Sequence, residues 1–99
     1  MSSHAPFPAD IINPTMGANF PSTTTSVTIE WSGSDIDNDI TQYNVLLGTT
    51  SPPINSIGNT TNTSLDINVS SNNVYYWKVI TEDSRGNTSS SEIFQFRIN

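Results

Sequence analysis

Cysteine is absent from this 99-residue chain. That excludes a disulfide framework, a thiolate metal site and a cysteine nucleophile together. Basic residues are scarce: three Lys and Arg stand against nine Asp and Glu, for a formal charge of −6. The pI lies near 4.1. Nucleic acid demands a basic footprint that releases counterions, and anionic lipid demands a polybasic segment, so neither partner fits. The single histidine, His4, stands in a polar N-terminal stretch. It has no second His or Cys to help it hold metal, and a Ser-His-Asp triad is not expected when the one histidine sits in that N-terminal tail. No window of about 20 apolar residues exists, so no helix of this chain is expected to span a membrane. Nor is there a glycine-rich phosphate loop or a metalloprotease motif. Its carboxylate pairs lack the apolar surroundings that would raise one pKa for acid–base work. These absences point away from an enzyme.

The remaining composition suits one domain. A third of the residues are apolar (33%), enough for one modest core at a length common for independent folding units. Nowhere do apolar residues recur at three and four over two turns, so no helix is expected. Period two recurs instead. Val27, Ile29 and Trp31 alternate with Thr28 and Glu30; Tyr43, Val45 and Leu47 follow. Leu65, Ile67 and Val69 alternate with Asp66 and Asn68, and Tyr75, Trp77 and Val79 with Tyr76, Lys78 and Ile80. Phe94, Phe96 and Ile98 alternate with Gln95 and Arg97. Each run reads as a strand with one face toward a core. The breaks between them are rich in Gly, Pro, Ser and Asn, which favour turns.

Two weaker segments complete the count. Pro8, Pro14 and Pro21 keep the first 20 or so residues out of a central strand, because proline cannot donate to the ladder. An edge strand over Asp10 to Asn13 is expected, with Ile11 or Ile12 turned inward. Pro52-Pro53 limits the next segment to a short edge strand near Ile54 to Ile57. The sum is about seven strands, hence an all-β, seven-stranded, immunoglobulin-like antiparallel β-sandwich. Residues 1–9 are expected to form a flexible tail and residues 10–99 the sandwich. Trp31, Tyr43, Tyr75, Trp77, Phe94 and Phe96 are its expected structural core, and a buried Tyr75 needs a backbone partner for its hydroxyl near the turn that precedes it.

Trp31 closes one strand, Tyr43 opens the next, and Val69 precedes Tyr75 by six positions in Val-Ser-Ser-Asn-Asn-Val-Tyr. With Tyr75-Tyr-Trp-Lys-Val-Ile-Thr-Glu-Asp-Ser-Arg-Gly-Asn-Thr-Ser89 and the later Phe-Gln-Phe, this pattern resembles the fibronectin type III domain, over roughly Pro14 to Asn99. An antibody-type domain places its Trp on strand C between bridged cysteines; here the Trp is on strand B and the cysteines are missing. The resemblance is to the domains of bacterial surface and secreted proteins, where an Asp-x-Asp-x-Asp stretch often follows that Trp. It implies a monomeric, extracellular or cell-surface module of a longer protein, whose partners are neighbouring domains, with a glycan or another protein as further candidates.

Four features invite a site. Asp35, Asp37 and Asp39 alternate between two aromatic residues. The helix-flanked calcium recipe fails here, because Ile40 stands where glycine is required and Leu46 where the bidentate glutamate belongs. A looser calcium site joined by Glu82 or Asp83, with affinity no better than ~10⁻⁴ M, stays open beside a plain polar turn. Arg85-Gly86-Asn87 resembles an integrin-type tripeptide, but its third residue is an amide, so a turn is expected. Asn59, Asn62, Asn68 and Asn87 each open a glycosylation-type triplet, as an Asn/Ser/Thr-rich chain does by chance. Tyr76 and Lys78 point away from the core beside Asn44 and Leu46. They read either as an ordinary solvated sheet face or as a surface on which a sugar ring stacks.

Overall fold

The computed structural model describes residues 6–34, 39–53 and 55–99. They form β1 (Phe7–Asn13), β2 (Ala18–Phe20), β3 (Ser26–Ser34), β4 (Ile40–Gly48), β5 (Ser56–Thr60), β6 (Ser64–Asn68), β7 (Asn73–Asp83), β8 (Thr88–Ser90) and β9 (Phe94–Ile98). A smaller sheet runs β1-β3-β6. A larger one runs β2-β9-β7-β4-β5, with β8 also paired to β7. All pairs are antiparallel except β2 with β9.

Nine strands, not seven, are present among the described residues, and the excess has two physical causes. Pro14 ends β1 because it cannot donate to a ladder. The chain then turns through an Ala18 N–H to Thr15 C=O bond of 3.1 Å, changes sheet, and adds β2 beside β9. The last strand is split by a bulge. Ile80 faces Ser90 and Trp77 faces Phe94, so Ser91, Glu92 and Ile93 lie opposite only Lys78 and Val79. Ser91 heals that break. Its N–H donates to the Val79 carbonyl at 2.8 Å, and its buried Oγ accepts the Val79 N–H at 2.9 Å.

Two boundaries differ from expectation. β1 begins at Phe7, with Ala9 in the core, and the Ser89 hydroxyl donates to the Pro6 carbonyl; the sandwich therefore claims residues assigned above to the tail. The edge strand expected near Ile54 to Ile57 instead spans Ser56 to Thr60, with Ile54 outside the described residues. Its ladder extends to Asn59 and Thr60, which face Asn44 and Tyr43. Nearly every residue of this strand is exposed, so it carries no apolar alternation to betray it. On β1, Ile11 is the residue packed against the core, while Ile12 is 45% exposed.

The inner faces close on each other with Ile29, Trp31, Val45, Trp77, Val79, Phe96 and Ile98 at 0–1% exposure. Trp31 sits between Tyr43 (centroids 5.7 Å, edge-on) and Trp77 (6.4 Å). Phe96 is stacked by Tyr75 (5.4 Å) and met edge-on by Phe20 (5.8 Å). Such rings bury the largest areas and add about 0.5–1.5 kcal/mol per pair beyond area alone. Tyr75 and Phe94 are half-buried members of this set. The Tyr75 hydroxyl accepts the Ser70 N–H at 2.9 Å, which pins the turn before β7.

The direction of each strand decides where the chain enters and leaves. Phe7 pairs with Ser34, and Pro6 is tied to Ser89, both beside the β7–β8 turn. Ile98 pairs with Asn73, the first residue of β7. Entry and exit thus lie at opposite ends of β7, whose 11 residues span about 36 Å.

Candidate functional site

Two regions gather the aspartates, the Arg85-Gly86-Asn87 segment and the outer-face residues singled out above, while Asn59, Asn62 and Asn68 lie on or between β5 and β6. The first is the end of the sandwich where β3 leads into β4 and β7 into β8. Asp35 and Asp37 lie outside the described residues. Asp39 joins the neighbouring turn: its carbonyl accepts the Ser84 N–H at 3.0 Å and its Oδ2 accepts the Ser84 hydroxyl at 2.6 Å.

Asp83 organises that neighbouring turn. It is 2% exposed, and its Oδ1 accepts the N–H groups of Arg85 (2.9 Å) and Asn87 (2.8 Å). Its Oδ2 accepts the Asn87 side-chain amide at 3.1 Å, and its own N–H donates to the Asn87 carbonyl at 3.0 Å. Gly86 supplies the left-handed residue of the turn, with φ +83°, a conformation cheap only without a Cβ. The Glu82 carboxylate accepts the Gln42 amide at 2.7 Å. Both carboxylates considered as helpers for a metal therefore have protein donors, and among the described residues no three His, Cys, Asp or Glu side chains are placed to hold an ion. Arg85-Gly86-Asn87 has an amide bound to Asp83 where an integrin-type motif would present a carboxylate. The Asp-x-x-x-Asn spacing from 83 to 87 was the available signal of this turn, because Asp and Asn side chains favour bonds to nearby backbone.

The second region is the outer face of the larger sheet. Trp77, Val79, Thr81 and Asp83 are buried on β7, so Tyr76, Lys78, Ile80 and Glu82 take the other side. Tyr76 lies between Gly48 of β4 and Gln95 of β9; Lys78 faces Leu46, and Ile80 lies between Asn44 and Ser90. A Cβ placed on Gly48 would come no closer than 4.0 Å to anything, and that to the Thr50 nitrogen. The flank of Tyr76 on that side is open. Asn44 accepts the Ser56 hydroxyl at 2.5 Å. On the β9 side, Arg97 is exposed and faces Val74.

No family model matches the chain, and no curated protein matches it. The likeness is to solved structures. The solution structure of the fibronectin type III domain of a human fibronectin type III domain-containing protein superposes with a TM-score of 0.65 at 18% identity, covering 100% of this chain and 93% of that one. An engineered protein of known crystal structure matches with a TM-score of 0.68 at 14% identity, covering 99% of this chain; the chain spans only about a fifth (21%) of that protein's length. At such identities the likeness speaks for the fold. The chain has a fibronectin type III-like fold.

Proposed function

We propose that this domain is a non-catalytic extracellular module that spaces, presents or adheres within a larger protein of bacterial surface or secreted type. The observation that carries this reading is the placement of its two ends. Entry beside the β7–β8 turn and exit beside Asn73 lie at opposite ends of a closed sandwich, so copies or neighbours joined in series are held apart by the length of β7. Its core is apolar and closely packed, and its buried carboxylate, Asp83, serves a turn rather than an open cleft. Among the described residues no helix is long and apolar enough to cross a membrane.

Spin labels at positions 6 and 99 test the spacer. One narrow distance distribution near ~36 Å, unchanged when a neighbouring domain is attached, is the expected result. A broad distribution, or a collapse of the distance on attachment, would reject it.

A second reading has its own observation. Tyr76 is half-buried on the outer sheet face, beside a glycine that leaves its flank open and opposite the Gln95 amide. That is a platform on which a sugar ring can stack while the Gln95 amide takes a hydroxyl. In this reading the module is a carbohydrate-binding accessory domain. A glycan array of wild type and Tyr76→Ala separates the two: binding lost in the variant supports the accessory domain, and an empty array leaves the spacer.

A further inference from the structure

Basic charge on this small protein gathers on one face. Of the three basic residues, Lys78 and Arg97 both stand on the outer face of the larger sheet. Neither side chain has an ion pair or hydrogen bond among the described residues. Lys78 lies two residues beyond Tyr76 on β7. Arg97 faces Val74, two residues before Tyr76. The two cations therefore flank the ring on opposite sides along the strand, each rooted about 7 Å away. Their acidic counterparts lie elsewhere. Asp10, Glu30 and Asp66 belong to the smaller sheet, where Glu30 accepts the Asn13 amide and Asp66 the Thr28 hydroxyl.

Two carboxylates come nearer. Glu82 shares the outer face but is six residues from Tyr76, roughly 20 Å, and is bound to Gln42. That exceeds the Debye length of about 8 Å at physiological salt. Glu92, in the bulge opposite Lys78 and Val79, lines a groove with Pro8, Asp10 and Ile11 toward β1. The neighbourhood of Tyr76 is thus locally positive on a protein whose formal charge is −6.

A neutral sugar would find no use for two unpaired cations beside its stacking ring. We propose that the Tyr76 face takes a carboxylated sugar, a uronate- or sialate-type glycan, with the ring stacked on Tyr76 and the carboxylate held by Lys78 or Arg97. This rests on the carbohydrate reading of the same face and adds the acid requirement. Charge-assisted bonds to a carboxylate are roughly twice as strong as neutral ones, and arginine matches the carboxylate fork.

The test titrates the whole chain, by amide NMR shifts, with oligogalacturonate, with its methyl ester, and with a sialylated oligosaccharide. An acidic probe should shift β7 and β9 amides. Its affinity should fall about tenfold, one decade being about 1.4 kcal/mol, in K78Q/R97Q, and should weaken as salt rises. The ester should bind as weakly as the acid binds that variant. Equal binding of acid and ester, lost in Tyr76→Ala, would overturn the acid requirement and leave the carbohydrate reading standing. No shift with any of the three probes would overturn both. K78Q/R97Q folds independently of this question, since both side chains stand outside the core, and its unligated spectrum verifies that.

Discussion

The ring of Tyr43 lies across Gly33: a Cβ at position 33 would stand 2.8 Å from Cε1 and 2.9 Å from Cζ of that ring. Gly33 follows Trp31 on the same face of β3, so the missing side chain is what lets Tyr43 reach over the strand and meet the Trp31 indole edge-on at 5.7 Å. Gly33→Ala should therefore cost about 1–3 kcal/mol, the range for overpacking a filled core. For a domain of this size each kcal/mol lowers Tm by roughly 4–8 °C. Thermal unfolding of the variant checks this, and a Tm equal to wild type would mean the ring moves aside freely.

Burial also raises the Tyr43 phenol above its usual value. The unfolded chain then gives up this proton at lower pH than the folded one. Stability from this group is complete below about pH 10, the ordinary tyrosine value, and declines as pH rises from there toward the folded pKa. Ultraviolet titration should show a late phenolate step above the ordinary tyrosine value. Tyr43→Phe should remove that late step, and an unchanged titration curve in the variant would overturn the assignment to Tyr43.

Asp83→Ala should open the β7–β8 turn, since two backbone N–H groups and the Asn87 amide lose their acceptor. Leaving a donor unsatisfied costs about 1–3 kcal/mol, moderated here by water at the turn. Hydrogen exchange at Arg85 and Asn87 should accelerate far more than at Val79. Uniform acceleration would instead mean global destabilisation.

Ser91→Ala should cost about 1–3 kcal/mol, because the buried Val79 N–H has the Ser91 hydroxyl as its acceptor. Ser91→Thr retains the oxygen and should recover part of the loss if the bulge has room for a methyl. Chemical denaturation of both variants measures it, and equal stability of Ser91→Ala and wild type would show that the ladder closes without this side chain.

The two readings of Asp35, Asp37 and Asp39 differ in their response to calcium. A site of ~10⁻⁴ M affinity in 10 mM calcium is saturated about a hundredfold and adds about 2.7 kcal/mol. That is a Tm rise on the order of 10–20 °C, absent with chelator and in Asp37→Asn. No rise assigns all three residues to the turn that Asp39 already shares with Ser84.

Local pattern was enough for the sheet faces. The alternation around Trp31, Tyr43, Trp77 and Phe96 places those side chains inward whatever the topology, because a strand has only two faces and only one can be dry. The need of the Tyr75 hydroxyl for a partner was equally local, and the Ser70 N–H meets it across five residues. Tertiary structure decided what depends on register between distant segments. Nothing within residues 88–98 states that one residue is extra there; the bulge exists only against the fixed spacing of β7, and Ser91 matters only because it lands on Val79. The sheet change after Pro14 depends likewise on a free edge at β9, 80 residues away in the chain. The placing of Arg97 and Lys78 on either side of Tyr76 has the same origin. Side-chain period is a property of one strand, whereas pairing is a property of two.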